Sequence, residues 1–164
     1  MRSEDEFRAY VSARLESLRR TAYLLCRDWH LADDLVSITI GKLYRHWTRV
    51  RAADNVDAYS RGVLTRVYLD ELRRPWRRED ATADTPEPPA SQPVDGIVER
   101  SALAQLLDGL PPRQRAVLVL RFYCDLSVEE TAALLHISRG TVKSQSARGL
   151  ETLRSLARVE VSEP

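Results

Sequence analysis

Apolar residues recur along most of the chain at the three- and four-residue spacing of amphipathic helices. The first three such stretches predict helices over about residues 3–26, 31–50 and 56–74. At the first start, Ser3 and Glu6 have the spacing of a capping box. Asp54 or Asn55 is the expected N-cap of the third helix, which Pro75 stops. Three helices with short connections predict a compact bundle.

A second helical block follows. Asp95 is placed to cap its first helix, and Pro112 opens the next one, which runs through Phe122. Ser127 and Glu130 form another capping-box pattern, and Ser138 is the expected cap of a last helix that reaches about residue 158. Since no stretch alternates with the two-residue period of a strand, the predicted fold class is all-α.

The composition changes between the two blocks. Residues 79–99 hold four of the chain's 8 prolines, six carboxylates, and neither Lys nor Arg. Few of these residues are large and apolar, so the stretch cannot form a core and predicts a flexible acidic linker. The expected organisation is two small helical domains, residues 1–78 and 95–164, joined by a linker over 79–94.

The spacing of residues 127–148 is that of a helix-turn-helix. Only three residues, 136–138, separate its two helices, and Ile137 and Val142 are expected to be buried between them. His136 occupies a turn position where glycine is common, and histidine tolerates a left-handed backbone better than most residues. At about 100° per residue, the outward face of the second helix carries small residues flanked by donors. These are Gly140, Ser144, Ala147 and Glu151, with Thr141, Lys143 and Arg148 beside them.

Charge distinguishes this last helix from an ordinary solvated helix at the end of a bundle. Residues 139–158 hold five basic residues against Glu151, a local charge of +4. Small residues allow a helix to enter a major groove, and cations beside them reach bases or phosphates. The pattern favours DNA binding. Lys143 could contact a base edge or a phosphate.

A second cationic cluster ends the first block. Arg73, Arg74, Arg77 and Arg78 surround Pro75 and Trp76, and continue from Arg61 and Arg66. Interleaved aromatics, namely Tyr59, Tyr68 and Trp76, could stack on unpaired bases. In the other interpretation, Tyr59, Tyr68 and Trp47 are core residues and the arginines solubilise a helix end. For the arginines, a nucleic-acid surface is the favoured interpretation.

Several function classes lack support in the sequence. Lys plus Arg is 25 and Asp plus Glu is 24, a net charge of +1, which hides the segregation of charge between blocks. Cys26 and Cys124 are far apart, and Cys26 with His30 would make only half a metal site, so no metal or other cofactor is expected. No catalytic motif is present, and the adjacent carboxylates Asp33 and Asp34 diverge on a helix. Without an apolar span or secretion signal, the chain is expected to be a cytoplasmic, non-enzymatic protein.

Five stretches of the chain resemble one known family. Residues 110–121 (LPPRQRAVLVLR), 125–130 (DLSVEE) and 138–144 (SRGTVKS) look like the C-terminal promoter-binding domain of extracytoplasmic function (ECF) sigma factors. Residues 32–36 (ADDLV) are similar to the polymerase-binding helix of that family, and residues 58–74 to its promoter-melting helix. The resemblance covers nearly the whole chain apart from the linker.

The resemblance implies a promoter-specificity subunit with two partners, core RNA polymerase and promoter DNA, and an anti-sigma factor as a further candidate partner. Duplex DNA at the −35 element would be read by Arg139, Thr141, Lys143, Ser144 and Arg148. The −10 element, as melted single strand, would be held by Asn55, Tyr59, Arg61, Arg66, Arg73, Arg74, Arg77 and Arg78. The polymerase would be contacted by Asp33, Asp34 and Leu35.

The sequence also departs from the family pattern. Residues 37–40 (SITI) replace the usual Gln, acidic and aromatic residues, Arg66 stands where Asn is usual, and Tyr59 where Trp is usual. The acidic linker has two interpretations, a solubilising spacer or an RNA mimic in the cationic channel of the polymerase. The alternative function is a free-standing helix-turn-helix repressor that binds DNA as a homodimer.

Overall fold

The structure, a computed structural model, describes residues 2–74 and 102–162. The N-terminal helices are α1 (Arg2–Cys26), α2 (Trp29–Arg45), α3 (Trp47–Arg51) and α4 (Val56–Leu72). The C-terminal elements are α5 (Ala102–Asp108), α6 (Pro112–Leu118), a π-helical turn (Val119–Tyr123), α7 (Val128–Leu135) and α8 (Arg139–Ser162). Every described element is helical, which confirms the all-α prediction. The predicted linker over 79–94 and the Asp95 cap lie outside the described residues.

Local capping explains where the N-terminal helices begin. The Asp28 carboxylate accepts hydrogen bonds from the backbone N–H groups of His30 and Leu31, so α2 starts before the predicted residue 31. The Asn55 side chain accepts from the Ala58 N–H at 2.9 Å, which confirms it as the cap of α4. Ser3 lies within α1, so its predicted capping role is wrong.

The predicted helix over 31–50 is interrupted at His46. The backbone of His46 has φ −113° and ψ 26°, outside the helical region, and α3 begins at the next residue. Trp47 is buried, with its ring 5.3 Å from Phe7 and 5.6 Å from Tyr10. The break therefore directs the Trp47 indole into the core against α1, where an unbroken continuation of α2 would not place it.

In the C-terminal half, the predicted caps of α7 and α8 form as expected. Ser127 and Glu130 exchange two hydrogen bonds of 3.0 Å in a complete capping box. His136 ends α7 with φ 57° and ψ 42°, the left-handed conformation expected at that turn. The Ser138 hydroxyl accepts from the Thr141 N–H at 3.0 Å and caps α8. The helix predicted through Phe122 instead finishes as the π-helical turn, and Phe122 is exposed.

Two apolar clusters hold these helices together. The larger is formed by fully buried leucines of α1, α2 and α4 and continues into α5 and the π-helical turn, including Leu107 and Leu120. The smaller brings Val142 of α8 onto Val117 and Ala132. Because the larger cluster contains residues of both halves, the C-terminal helices are packed directly against α1 and α4.

Candidate nucleic-acid interface

The helix-turn-helix is built around Val142. Its side chain has 0% exposure and packs against Val117 of α6 and Ala132 of α7, while Ile137 in the turn is half-buried. On the opposite side of α8, Gly140, Ser144, Ala147 and Glu151 are all exposed. The inward and outward faces of α8 therefore match the pattern predicted from the sequence.

The exposed side of α8 carries the predicted −35 residues. Arg139, Lys143, Ser144 and Arg148 are exposed, and Thr141 is half-buried. Two of these side chains already have local partners, because Ser144 donates to the Thr141 carbonyl at 3.2 Å and the Thr141 hydroxyl lies 2.8 Å from that of Ser138. Arg139 lies 3.9 Å from the Glu129 carboxylate. The long cationic side chains thus project from a surface of small residues.

The predicted −10 residues occupy different environments along α4. Arg61 donates to the Ser17 hydroxyl at 3.3 Å, Arg73 is exposed, and Arg74 pairs with Glu71 at 3.4 Å. The side-chain oxygen of Asn55 is engaged in its cap, whereas the Arg66 guanidinium contacts the ring of His136 in the helix-turn-helix. Arg77 and Arg78 lie outside the described residues. Among the described residues at the end of α4, Arg73 and Arg74 are therefore both exposed, and Arg74 is the one paired with Glu71.

The aromatic residues near α4 divide between core and surface. Tyr68 and Trp47 are buried, which supports their interpretation as core residues, and burial raises the pKa of Tyr68 above its usual value. Tyr59 is half-buried and lines a cavity of about 270 Å³ together with Lys42 and Arg49. Trp76 is outside the described residues. Of Tyr59, Tyr68 and Trp47, Tyr59 is therefore the one that is not buried.

The N-terminal end of α4 is fixed to α1 by a polar cluster. Asp57 accepts hydrogen bonds of 2.9 Å from Arg14 and Tyr10. Burial raises the pKa of Asp57, but the two donors together outweigh it and leave the pKa below its usual value. Burial raises the pKa of Tyr10 to about 12, so its hydroxyl stays protonated and donates. The cluster therefore joins the first turns of α4 to α1.

A cleft separates α4 from the helix-turn-helix. Its cavity of about 450 Å³ is lined by Arg66, Asp70 and Arg73 on α4 and by Arg113, His136, Thr141 and Gln145 on the other wall. An adjoining cavity of about 410 Å³ shares Arg73, Arg113 and Gln145 with it and adds Arg148. Residues from both predicted DNA surfaces therefore meet in one cleft.

Sequence reasoning missed Arg113 and Gln145 as cleft residues. Arg113 lies in the first turn of α6 and Gln145 on the flank of α8, where helical periodicity gives no special signal. Their position opposite α4 depends on how the two halves pack, a property that no local pattern encodes.

The predicted polymerase contacts are only partly at the surface. Asp33 and Asp34 are exposed near the start of α2, and Asp33 accepts from Arg19 at 2.6 Å. Leu35 has 0% exposure, so the prediction that it touches a partner does not fit its position. Helical geometry places Leu35 about 100° from Asp34, on the face that α2 turns toward the core.

Neither a metal site nor a membrane span emerges from the described residues. Cys26 donates to the Asp28 carbonyl at 3.3 Å, and burial raises the pKa of its thiol to about 12. Over the two described ranges, no three potential ligands among His, Cys, Asp and Glu come together as a metal site. Within the same ranges, no helix has the length and apolarity needed to cross a membrane.

Two family models match the chain, "Sigma-70 region 2" over residues 10–78 and "Sigma-70, region 4" over residues 106–155. The RNA polymerase sigma-E factor of Streptomyces coelicolor is 36% identical over 149 residues, covering 91% of this chain and 84% of the relative. The ECF RNA polymerase sigma factor SigE of Mycolicibacterium smegmatis is 31% identical over 151 residues, covering 88% of this chain and 58% of the relative.

Two solved structures have the same fold. The sigma factor RpoE of Bartonella quintana, in complex with the anti-sigma factor NepR, superposes with a TM-score of 0.70 at 23% identity, covering 94% of this chain and 98% of that one. CnrH, in complex with the cytosolic domain of CnrY, gives a TM-score of 0.62 at 21% identity, covering 98% and 91%. With region 2 matched over the helices of the N-terminal half and region 4 over the helix-turn-helix, the chain belongs to the sigma-70 family of RNA polymerase sigma factors, in its extracytoplasmic function group.

Proposed function

We propose that this protein binds core RNA polymerase and directs it to specific promoters, and that it catalyses no reaction itself. The observation that carries the proposal is the pairing, in one chain, of an exposed cationic helix-turn-helix with a second cationic helix, α4. The two family matches cover these two parts separately. Since the polymerase supplies the chemistry, the work of this chain is recognition, in the cytoplasm where transcription takes place.

Helix α8 is proposed to read duplex DNA at the −35 element. Its exposed Gly140, Ser144 and Ala147 let the backbone approach the floor of a major groove. Lys143 and Arg148 extend beside them and reach base edges or phosphates, and Arg139, Thr141 and Ser144 complete the surface. Packing of Val142 on Val117 and Ala132 holds this helix at a fixed angle to its support.

Helix α4 is proposed to hold the −10 element as it melts. Tyr59 is placed to stack on an unpaired base, while Asn55, Arg61, Arg66, Arg73 and Arg74, with Arg77 and Arg78 beyond the described residues, follow the phosphate backbone. Unstacked bases can be captured only when the duplex is open. The binding energy therefore favours the open state and drives strand separation without ATP.

Asp33 and Asp34 are proposed to form the contact with the polymerase, with Leu35 supporting them from the core. The RpoE and CnrH structures are complexes with NepR, an anti-sigma factor, and with the cytosolic domain of CnrY. By analogy, we include an anti-sigma factor among the partners of this chain. A dimeric repressor, the alternative interpretation of the helix-turn-helix, does not account for the region 2 match over residues 10–78.

Run-off transcription tests the proposed function. Purified chain and core polymerase are incubated with a library of genomic fragments, and core polymerase alone serves as the control. We expect transcripts with defined start sites only in the presence of the chain. A library that yields no promoter-specific transcript would refute the proposal, and operator binding by a dimer without polymerase would favour the repressor.

Two substitutions on α8 separate base recognition from phosphate binding. Arg148→Ala should reduce transcription about ten-fold or more, and mainly from promoters with the preferred −35 sequence, because a base contact is lost. Lys143→Ala should weaken all promoters alike and flatten the dependence on salt if it contacts a phosphate. Arg8→Ala removes an equal charge from an exposed position of α1 and is the matched control. Parent-like transcription from both α8 variants would show that the assigned face is wrong.

A further inference from the structure

The adjoining ends of α1 and α2 carry two pairs of side chains that face each other. Arg19 and Tyr23 are four residues apart near the end of α1, and Trp29 and Asp33 have the same spacing at the start of α2. Residues four apart lie on one face of a helix. The guanidinium carbon of Arg19 lies over the Trp29 ring, 4.6 Å from its centre, and the Arg19 Nε atom donates to the Asp33 carboxylate at 2.6 Å. Arg19 therefore contacts both members of the pair on α2.

Buried aromatic rings support the Arg19 guanidinium. The Trp29 ring is stacked on the Tyr23 ring, with centres 4.1 Å apart and 12° between the planes. Both rings are buried, so close packing fixes the orientation of the indole. A planar guanidinium is attracted to the face of an indole and stacks on it. The side chain of Arg19 is only 20% exposed as a result, and its charged end is held against α2.

Asp33 is held by Arg19 on one side and open to solvent on the other. The Arg19 Nε atom bonds one carboxylate oxygen, and its Nη2 atom lies 3.5 Å from the second oxygen, so one guanidinium faces both. The Asp33 side chain nevertheless remains 54% exposed. An ionised carboxylate has about four acceptor positions on its two oxygens. Its outward positions can therefore accept hydrogen bonds from a cationic group of another protein.

We propose that Arg19 is a positioning residue for the polymerase contact, holding the Asp33 carboxylate in the orientation in which a cationic side chain of the polymerase binds it. The inference rests on the proposed function, in which Asp33 and Asp34 form that contact. A side chain that becomes ordered only on association reduces the affinity. Because Arg19 orders Asp33 in the free chain, that loss is incurred during folding and not during binding.

Arg19→Lys tests this role without changing the charge of the chain. Lysine keeps the positive charge and an aliphatic stem, but it lacks the planar group that bonds both carboxylate oxygens and stacks on an indole. Fluorescence anisotropy of the labelled full chain measures its Kd for core polymerase. We expect Arg19→Lys to raise this Kd about three- to ten-fold. Arg8→Lys, at an exposed position of the same helix, is the matched control and should bind as wild type does.

A double-mutant cycle with Asp33→Asn distinguishes positioning from a general structural effect. If Arg19 acts through Asp33, adding Arg19→Lys to Asp33→Asn should change the Kd by less than about two-fold. A merely structural role would weaken binding by the same factor in both backgrounds. Circular dichroism verifies that each variant is folded.

Trp29→Phe perturbs the same arrangement from the other side. Phenylalanine keeps a buried ring but attracts a guanidinium less strongly than an indole does. This variant should also raise the Kd, and its effect should also disappear in the Asp33→Asn background. It provides the test if Arg19→Lys loses its helical circular dichroism.

The outcomes separate this inference from the proposed function. If the wild-type chain neither binds core polymerase nor yields promoter-specific transcripts, the proposed function is refuted. If wild type does both, but Arg19→Lys binds equally tightly or keeps its full effect beside Asp33→Asn, the proposed function stands and the positioning role is overturned. An unchanged Kd for Asp33→Asn alone would also overturn it, because Arg19 would then have no contact to position.

Discussion

Arg115→Met replaces the buried cation at the centre of the molecule while keeping an apolar stem of similar length. The guanidinium of Arg115 donates to the Leu25 carbonyl at 2.6 Å and to the Leu110 carbonyl at 2.9 Å. Its contacts with the Asp108 carbonyl at 3.4 Å and the Tyr68 hydroxyl at 3.5 Å are at the limit of hydrogen bonding. The two short bonds therefore dominate its contribution to stability.

The magnitude follows from two opposing effects. A hydrogen bond from a charged donor contributes about 1.5–3 kcal/mol, so the two short bonds together contribute about 3–6 kcal/mol. Methionine avoids the desolvation of a buried guanidinium, which offsets part of that loss. The two carbonyls left without a donor remain buried at helix ends, so the hydrogen-bond loss is the larger effect. We expect Arg115→Met to lower the free energy of unfolding by about 2–4 kcal/mol.

Urea denaturation followed by far-ultraviolet circular dichroism at pH 7 measures this change. Arg113→Met is the matched control, because Arg113 is exposed two residues earlier on the same helix, and its effect should stay within about 0.5 kcal/mol. If the two variants unfold at the same urea concentration, the buried hydrogen bonds of Arg115 do not stabilise the fold and the reasoning fails.

Three further predictions concern the core, pH and thiol reactivity. Val142→Ala should lower the free energy of unfolding by about 2 kcal/mol and weaken −35 recognition. Val159→Ala, at a position 58% exposed on the same helix, should change neither property. Urea denaturation measures the stability of each variant, and DNA binding by the holoenzyme measures −35 recognition. Because the folded state lowers the pKa of Asp57, its contribution is complete above the unfolded value and lost as the pH falls. The stability advantage of wild type over Asp57→Asn should therefore shrink below about pH 4 in acid titrations, and a constant difference would contradict the assignment. Cys26, with a pKa of about 12, should react with iodoacetamide at pH 8 at least about a hundred-fold more slowly in the native chain than in urea, as mass spectrometry can measure.

Local features of the helix-turn-helix were predictable from the sequence. The capping box of Ser127 and Glu130, the Ser138 cap and the left-handed His136 all depend on groups within a few residues of one another. The inward orientation of Val142 follows from helical periodicity and a single apolar partner face. Such features are determined by short-range geometry, so one sequence contains the information needed to predict them.

The predictions that were wrong or missing concern contacts between residues far apart in the sequence. The break at His46 directs Trp47 toward Phe7 of α1, forty residues earlier in the chain. Leu35, which the resemblance assigned to the polymerase contact, is buried where α1 and α4 pack against α2, although Asp34 beside it is exposed. For the −10 arginines, the sequence predicted the cluster, but only packing separates the exposed Arg73 from Arg66 in its contact with the helix-turn-helix.

By itself, the sequence determined that the chain is all-α, that it carries a helix-turn-helix with a cationic outward face, and that it resembles ECF sigma factors. Only the tertiary structure decided that the two DNA-facing surfaces meet in one cleft, closed by Gly62 against Leu134 and by Arg115 against the end of α1. The physical reason is the distance along the sequence over which each interaction acts. Capping and amphipathicity involve residues a few positions apart, whereas packing of the two halves depends on the complementarity of surfaces brought together from distant parts of the chain.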